Sequence, residues 1–460
     1  MNDLNGFFHP KSVAVIGASR DPKKIGYVIL QNFVLGHFHG RIYPINPNAE
    51  KILHLKVFPS VLKVKDKIDL AVIAIPAPLV PNALEECGRK KIANVIIVSG
   101  GFEEVGRTDL KKKLEKILGK YKKMRVIGPN CLGVLDTGSG VDTLFLPSYR
   151  LERPMHGSIS FISQSGALGS AIIDWAAMQG FGLNKFISYG NALDVNEADL
   201  LELLEKDDST KVIIAYFEGL RAGRKFFELA KRVSRKKPII AVKGGRFEES
   251  SHAVKSHTGS LAGSARVYSA AFKQAGIIQA NSSREAFDFA RTIINEPEPK
   301  GRSLQIITNG GGYGVLAADA AIENNLILGR LGKETIESLK KKMPQRVVIG
   351  NPMDLTGDAD NERFKVAIEA ALDDENIDAI LVNILFQVPT LDSNIVQILS
   401  ELNKRKKKPL LVMSIGGAFS ELHRHALEKE GISTFISPFN ALKALRKMVE
   451  HHEFLKKATF

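Results

Sequence analysis

The chain has 460 residues, 44% of them hydrophobic and 25% charged, a composition typical of soluble globular domains and a length that suggests about three of them at ~150 residues each. No apolar stretch reaches the ~20 residues of a membrane-crossing helix, and the opening MNDLNGFFHPKS lacks the regions of a signal peptide, so a cytoplasmic protein with no membrane partner is expected. The net charge is +14, from 64 Lys and Arg against 50 Asp and Glu. These basic residues are spread along helical runs such as 110–123 without interleaved aromatics. They read as solvated helix faces that attract a polyanionic small ligand rather than as a nucleic-acid surface. The two cysteines, Cys87 and Cys131, make neither a disulfide framework nor a metal site and are expected to be buried.

The first segment, about residues 1–150, alternates Val/Ile-rich runs (12–18, 41–47, 70–76, 94–100, 125–130) with helical stretches. Continuous apolar runs of this kind fit parallel strands buried on both faces, joined as βαβ units. The run SVAVIG passes through ASRDPKKIG into a helix over 27–33. A glycine-bearing strand-to-helix turn presents backbone N–H groups and a helix N-terminus to a phosphate, although it can also be only a turn. The dinucleotide spacing G-x-G-x-x-G is absent, because Gly17 is followed by Ala18 and Ser19 and then a longer loop to Gly26. The second strand ends in Asn46 and Pro47, with Lys51 and Lys56 nearby, and lacks the acidic residue that holds an NAD ribose. A phosphorylated nucleotide such as CoA suits this better than NAD.

Boundaries fall near 146–157, where the strand–helix rhythm lapses, and at the linker NEPEPKGRS, 295–303. They leave a second segment at 151–297 and a third at 301–460. These two look like copies. SISFISQSGALGSAIID (158–174) lies over SLQIITNGGGYGVLAAD (303–319) at a constant offset of 145. Further on, NALD (191–194) matches NPMD (351–354), and KPIIAVKGG (237–245) matches KPLLVMSIGG (408–417). A duplication of this kind governs the whole fold reading: the chain is α/β, with three doubly wound parallel-sheet domains.

The copies differ in one loop. Gly245 precedes the Gly276 and Ile277 pair by 31 positions, whereas Gly417 precedes Gly431 and Ile432 by 14, so the first copy carries about 17 extra residues. They fall within RFEESSHAVKSHTGSLAGSARVYS and include His252 and His257. The small residues around His257 permit close approach to a ligand and easy movement. A neutral imidazole is a nucleophile for phosphorus when a carboxylate fixes its tautomer. Glu218, at the end of the run VIIAYFEG, stands at the carboxyl edge of a predicted strand and is the candidate partner. The paired motifs SQSGALG and TNGGGYG each end a strand and open a helix with small residues. Each such helix start carries roughly +0.5 charge and free N–H donors; two aimed at one point would seat a phosphoryl group.

SQSGALG, YFEG and above all KSHTGSLAGS resemble the α subunits of ADP-forming acyl-CoA synthetases, especially the archaeal acetyl-CoA synthetases, with succinyl-CoA synthetase more distant. GASRDPKKIG and GPNCLG resemble the family's CoA-binding domain, and GGGYGVLAADA and NPMDLTGDA its third domain. The resemblance covers essentially the whole chain. It implies a Rossmann-like CoA-binding domain followed by two related flavodoxin-like domains. It also implies that His257 is the phosphorylated histidine and Glu218 its carboxylate. Ser165, Gly166, Gly311 and Gly312 would open the phosphate-cradling helices. Gly17, Ser19 and Arg20 would lie along CoA, with Pro76, Ser99 and Asn130 lining the far side. The implied cofactors are coenzyme A and phosphate, with ADP or ATP and Mg²⁺ on a partner. No segment reads as the family's ATP-grasp module, so a separate β subunit in an α₂β₂ assembly is expected. A succinyl- or aryl-acid-specific ligase and a non-catalytic CoA-sensing subunit are the alternatives.

Overall fold

The first apolar run becomes β1 (Ser12–Ile16), buried along its whole length, and its neighbours follow the same logic. β2 (Arg41–Ile45), β5 (Leu70–Ile73), β6 (Asn94–Ile97) and β7 (Arg125–Ile127) complete a parallel sheet in the order β2-β1-β5-β6-β7, beside a small hairpin of β3 (Lys51–Ile52) and β4 (Leu55–Lys56). This computed structural model describes residues 4–245 and 265–457. Alternate strand residues enter two different cores. Val13, Val15 and Val72 pack with Ile29, Leu30 and Phe33 of α1 (Ile25–Leu35). Ala14, Ile16 and Ile73 pack with Leu84 of α2 (Val80–Arg89) and Leu110 and Leu114 of α3 (Thr108–Lys120). Burial of both sheet faces explains why these strands read as unbroken apolar runs.

The second sheet runs β14-β13-β12-β10-β11-β8-β9. It comprises β8 (Val134–Asp136), β9 (Val141–Asp142), β10 (His156–Ser163), β11 (Leu183–Ser188), β12 (Val212–Phe217), β13 (Ile239–Lys243) and β14 (Ile278–Ala280), with α4 (Gly166–Met178), α5 (Glu197–Glu205), α6 (Gly223–Val233) and α7 (Ala265–Ala275) between strands. Residues 134–142, read from sequence as part of the first segment, extend this second sheet. β8 joins β11 antiparallel and β9 joins β8 antiparallel, so the sheet is mixed rather than wholly parallel. One buried cluster continues from Val13 and Val72 of the first sheet to Ile162, Ile187 and Ile213 of the second. Residues 1–283 accordingly form one compact unit.

The other unit covers 284–460. It begins within α8 (Ser283–Asn295), ahead of the linker at 295–303 that the sequence suggested. Arg291 of α8 pairs with Glu428 at 2.5 Å, and the carboxylate of Glu296 accepts N–H bonds from Leu410 (2.9 Å) and Ser433 (3.2 Å). These bonds fasten α8 and the following residue to this unit. The third sheet contains β15 (Ser303–Thr308), β16 (Ile327–Leu328), β17 (Met353–Asp354), β18 (Ala379–Asn383), β19 (Leu410–Met413) and β20 (Ser433–Phe435) in the order β16-β15-β18-β19-β20, with β17 also on β15. Its helices are α9 (Gly311–Glu323), α10 (Lys333–Lys342), α11 (Asn361–Asp373), α12 (Asn394–Lys404), α13 (Ala418–Lys429) and α14 (Pro438–Lys457). β15, β18, β19 and β20 repeat the arrangement of β10, β12, β13 and β14, as a duplication requires. β1, β10 and β15 each lie inside the strand that follows them in the chain, β2, β11 and β16, which puts the chain reversal, and the crevice where α/β ligands bind, at their carboxyl ends.

Candidate functional site

Gly17, Ser19 and Arg20 leave β1; Pro76 follows β5, Ser99 follows β6 and Asn130 follows β7. All therefore stand on the carboxyl rim of the first sheet. Hydrogen bonds tie the rim together. Gly17 N–H donates to Ile45 (3.0 Å), Asn130 N–H donates to the carbonyl of Ser99 (2.9 Å), and Ser99 Oγ donates to Ile75 (2.6 Å). Gly17 has φ +94°, and a Cβ there would fall 2.4 Å from the carbonyl oxygen of Ala74. A Cβ on Gly26 would fall 1.9 Å from the carbonyl oxygen of Gly17. Gly26 is therefore required for α1 to press against the loop after β1, and Gly17 for that loop to pass close to the turn after β5 in a left-handed conformation. Arg20 and Pro76 are exposed, and Arg20 Nη2 donates to the carbonyl of Asn48 at 3.3 Å. Asn46, where an NAD site carries an acid, instead donates to the carbonyl of Ala18 at 2.7 Å and holds the loop from below. Lys51 and Lys56 face each other across the small hairpin.

On the second sheet, Ser165 caps α4, its side chain accepting from Leu168 N–H at 3.3 Å, and Ser163 Oγ donates to the carbonyl of Ser165 at 2.7 Å. Gly166 opens the helix. A Cβ on it would lie 3.3 Å from Cβ of Leu132, two residues beyond Asn130. The rims of the first two sheets thus meet here. Asn130 Nδ2 donates to Asn191 Oδ1 at 3.3 Å, and Asn191 N–H donates to the carbonyl of Pro129 at 2.9 Å. Glu218 is 5% exposed and follows β12 directly. Its Oε1 accepts from Tyr216 Oη at 3.3 Å, while Gln164 Oε1 accepts its N–H at 2.8 Å and that of Gly219 at 3.1 Å. Buried Lys243 donates to the Glu218 carbonyl at 2.9 Å. Burial pushes the Lys243 ammonium below the usual lysine range, opposed by the Glu218 carboxylate. Burial, together with that same carboxylate, raises the Tyr216 phenol. Burial also pushes the Cys131 thiol up to about 12 and leaves it inert.

In the second unit, Gly310 caps α9, and Gly311 and Gly312 form its first turn. Thr308 Oγ1 donates to the carbonyl of Gly310 at 3.1 Å, as Ser163 does to Ser165. Asn309 Oδ1 accepts from Leu385 N–H at 2.9 Å, as Gln164 does from Glu218. A Cβ on Gly311 would lie 2.9 Å from Asp354 Oδ2, whereas Gly312 faces open space. The structure therefore brings Gly17, Ser19, Arg20, Pro76, Ser99 and Asn130 to one rim, and Ser165, Gly166 and Glu218 to the rim beside it; Gly311 and Gly312 belong to the other unit. His257 and His252 lie outside the described residues. Gln164, Asn191 and Lys243 were not singled out by the sequence reading. Gln164 and Lys243 stand inside the motifs SQSGALG and KPIIAVKGG, so the duplication was the signal that could have found them.

Three family models match the chain: a CoA binding domain at residues 11–137, a succinyl-CoA ligase like flavodoxin domain at 156–293 and a ligase-CoA domain at 304–437. The α subunit of ADP-forming acetate–CoA ligase I from Pyrococcus furiosus is 44% identical over 96% of this chain and 96% of its own length. ADP-forming acetate–CoA ligase from Methanocaldococcus jannaschii is 42% identical over 98% of this chain, which spans 63% of that longer relative. Among solved structures, the acetyl-coenzyme A synthetase 1 of Ca. Korarchaeum cryptofilum, in complex with phosphate and ADP, is 36% identical with a TM-score of 0.93, covering 100% of this chain and 99% of that one.

Proposed function

The chain belongs to the α subunits of the ADP-forming acetate–CoA ligases, and from that premise we propose that it holds CoA and phosphate for the reversible conversion of acyl-CoA, phosphate and ADP into acid, CoA and ATP. Residues 1–150 serve as the CoA-binding domain, 151–297 as the flavodoxin-like ligase domain and 301–460 as its related copy. A phosphate oxygen attacks the thioester carbonyl; the C–S bond breaks, and CoA leaves as thiolate and takes up a proton. The neutral imidazole of His257 then attacks the phosphorus of the acyl phosphate, whose P–O bond breaks to release the carboxylate. A terminal oxygen of ADP finally takes the phosphoryl group from the phosphohistidine and restores the imidazole.

The observation that carries this reading is the contact of Gly166 with Leu132, two residues past Asn130. This closeness of the start of α4 to the rim read as the CoA site supports a phosphate at that helix start attacking a thioester on the rim. Helix N–H donors fixed in advance stabilise the charge that develops on phosphate without reorganising during the reaction. In this reading Ser165 and Gly166, and in the second unit Gly311 and Gly312, bind phosphate. Gly17, Ser19, Arg20, Pro76, Ser99 and Asn130 line CoA, and Glu218 fixes the imidazole of His257. ADP and Mg²⁺ belong to a separate ATP-grasp β subunit, in an α₂β₂ assembly working in the cytoplasm, where CoA and ADP are supplied. Mixing the chain with that subunit and ATP labelled on its γ-phosphate should leave acid-labile, base-stable label on His257. Equal labelling of wild type and His257→Ala would end this reading.

A further inference from the structure

We propose that Lys243 is a positioning residue for the phosphohistidine step. Its ammonium group locks the turn that carries Glu218 to the turn from which the segment with His257 departs. The proposal rests on the roles given above to Glu218 and His257. Phe217 and Lys243 are the last registered pair between β12 and β13, and Gly244 N–H closes the ladder on the Phe217 carbonyl at 2.8 Å. Beyond that point the two chains part, one into Glu218 and the other into Gly244 and Gly245. The Lys243 ammonium bridges the gap. It donates to the carbonyl of Glu218 at 2.9 Å and to that of Gly244, and lies 4.8 Å from the centre of the Tyr268 ring. Lys243 is only 7% exposed, and an ammonium placed among carbonyls and a ring is a costly choice for a spacer.

The second copy serves as an internal control. Thr308 pairs with Asn383 where Ser163 pairs with Tyr216, which makes Leu385 the counterpart of Glu218. Met413 is the last registered partner on β19, and Ile384 N–H closes that ladder, which makes Ser414 the counterpart of Lys243. The amide tie is kept in both copies, by Gln164 and by Asn309. The carboxylate and the ammonium occur together only in the copy that also carries the extra residues. The strand ends fold with Leu385 and a buried Ser414 in their place, so the fold does not call for a lysine there. What the lysine adds is a fixed geometry between the carboxylate and the root of the segment.

The test uses the chain with its β subunit and ATP labelled on the γ-phosphate, comparing wild type, Lys243→Met, Lys243→Arg and His257→Ala, with CoA affinity measured alongside. Lys243→Met should slow histidine labelling by about tenfold or more, the scale of loss expected from a misplaced reacting group. Its CoA affinity should stay within about threefold of wild type, because the rim that holds CoA does not touch Lys243. Lys243→Arg, which retains charge and donors, should recover part of the labelling rate. Labelling at the wild-type rate in Lys243→Met overturns the proposal. So does a parallel loss of CoA affinity and labelling, which would make Lys243 a general support. Persistent label on His257→Ala instead removes the reading beneath it, whatever Lys243 does.

Discussion

At the scale of single residues, backbone contacts decide more than side-chain chemistry around the CoA rim. The Cβ that alanine would add at position 26 falls 1.9 Å from the Gly17 carbonyl, and neither partner is a side chain that can rotate away. Relief requires α1 or the loop to move, a strain of about 1–3 kcal/mol by analogy with overpacked cores. Gly26→Ala should therefore lower the unfolding midpoint and weaken CoA binding by about tenfold, since 1.4 kcal/mol is a factor of ten, while histidine labelling from ATP persists. Calorimetric titration with CoA checks this; unchanged affinity would detach the loop after β1 from CoA. The sequence made Gly17 and Gly26 legible because a glycine between strand and helix has few other uses. The duplicated motifs mark Gln164 and Lys243, but what they bind was not legible, for a physical reason. Their partners are 54 and 25 residues away, and only the pairing register brings them together.

At the scale of elements, the long apolar runs announced their strands because burial on both faces suppresses alternation. β8 and β9 escaped notice at three and two residues, too short to carry a period. Their antiparallel pairing extends the second sheet across a boundary that composition placed further on. The duplication was legible from repeated motifs, and its working content is an amide at the end of the first strand that stitches it to the next. Removing the amide leaves buried N–H groups without an acceptor, at about 1–3 kcal/mol each. Gln164→Ala exposes two such groups and Asn309→Ala one. Both variants should lose stability in urea unfolding, Gln164→Ala the more. It should also slow histidine labelling, because Glu218 is the residue released. If either variant unfolds within about 0.5 kcal/mol of wild type, the level of an ordinary surface change, the tie is not what holds these strand ends.

At the scale of the whole molecule, the two units carry separate cores, so their stabilities can respond differently to solvent. Acid should act on the second unit through His451, a buried ring of α14 that lies 6.3 Å from the ring of Phe454. Burial is the main cause that lowers its pKa from 6.5 to about 4; neighbouring His452 adds to this and Glu298 opposes it. The folded state thus binds fewer protons than the unfolded state between those two values. Stability conferred by the neutral ring is complete above about pH 6.5 and is lost as the pH falls toward about 4. At 1.36 kcal/mol per unit the loss amounts to about 3 kcal/mol. Asp288 and Glu296 of the same unit, both raised by burial, act in the opposite sense, so the bare pH profile mixes the contributions. Comparison with His451→Phe isolates the histidine, because the variant keeps an aromatic ring beside Phe454 and cannot titrate. Urea unfolding at pH 7 and pH 4 should show the variant losing about 3 kcal/mol less than wild type over that interval. Equal losses in the two proteins would mean that His451 is not held neutral in the folded chain.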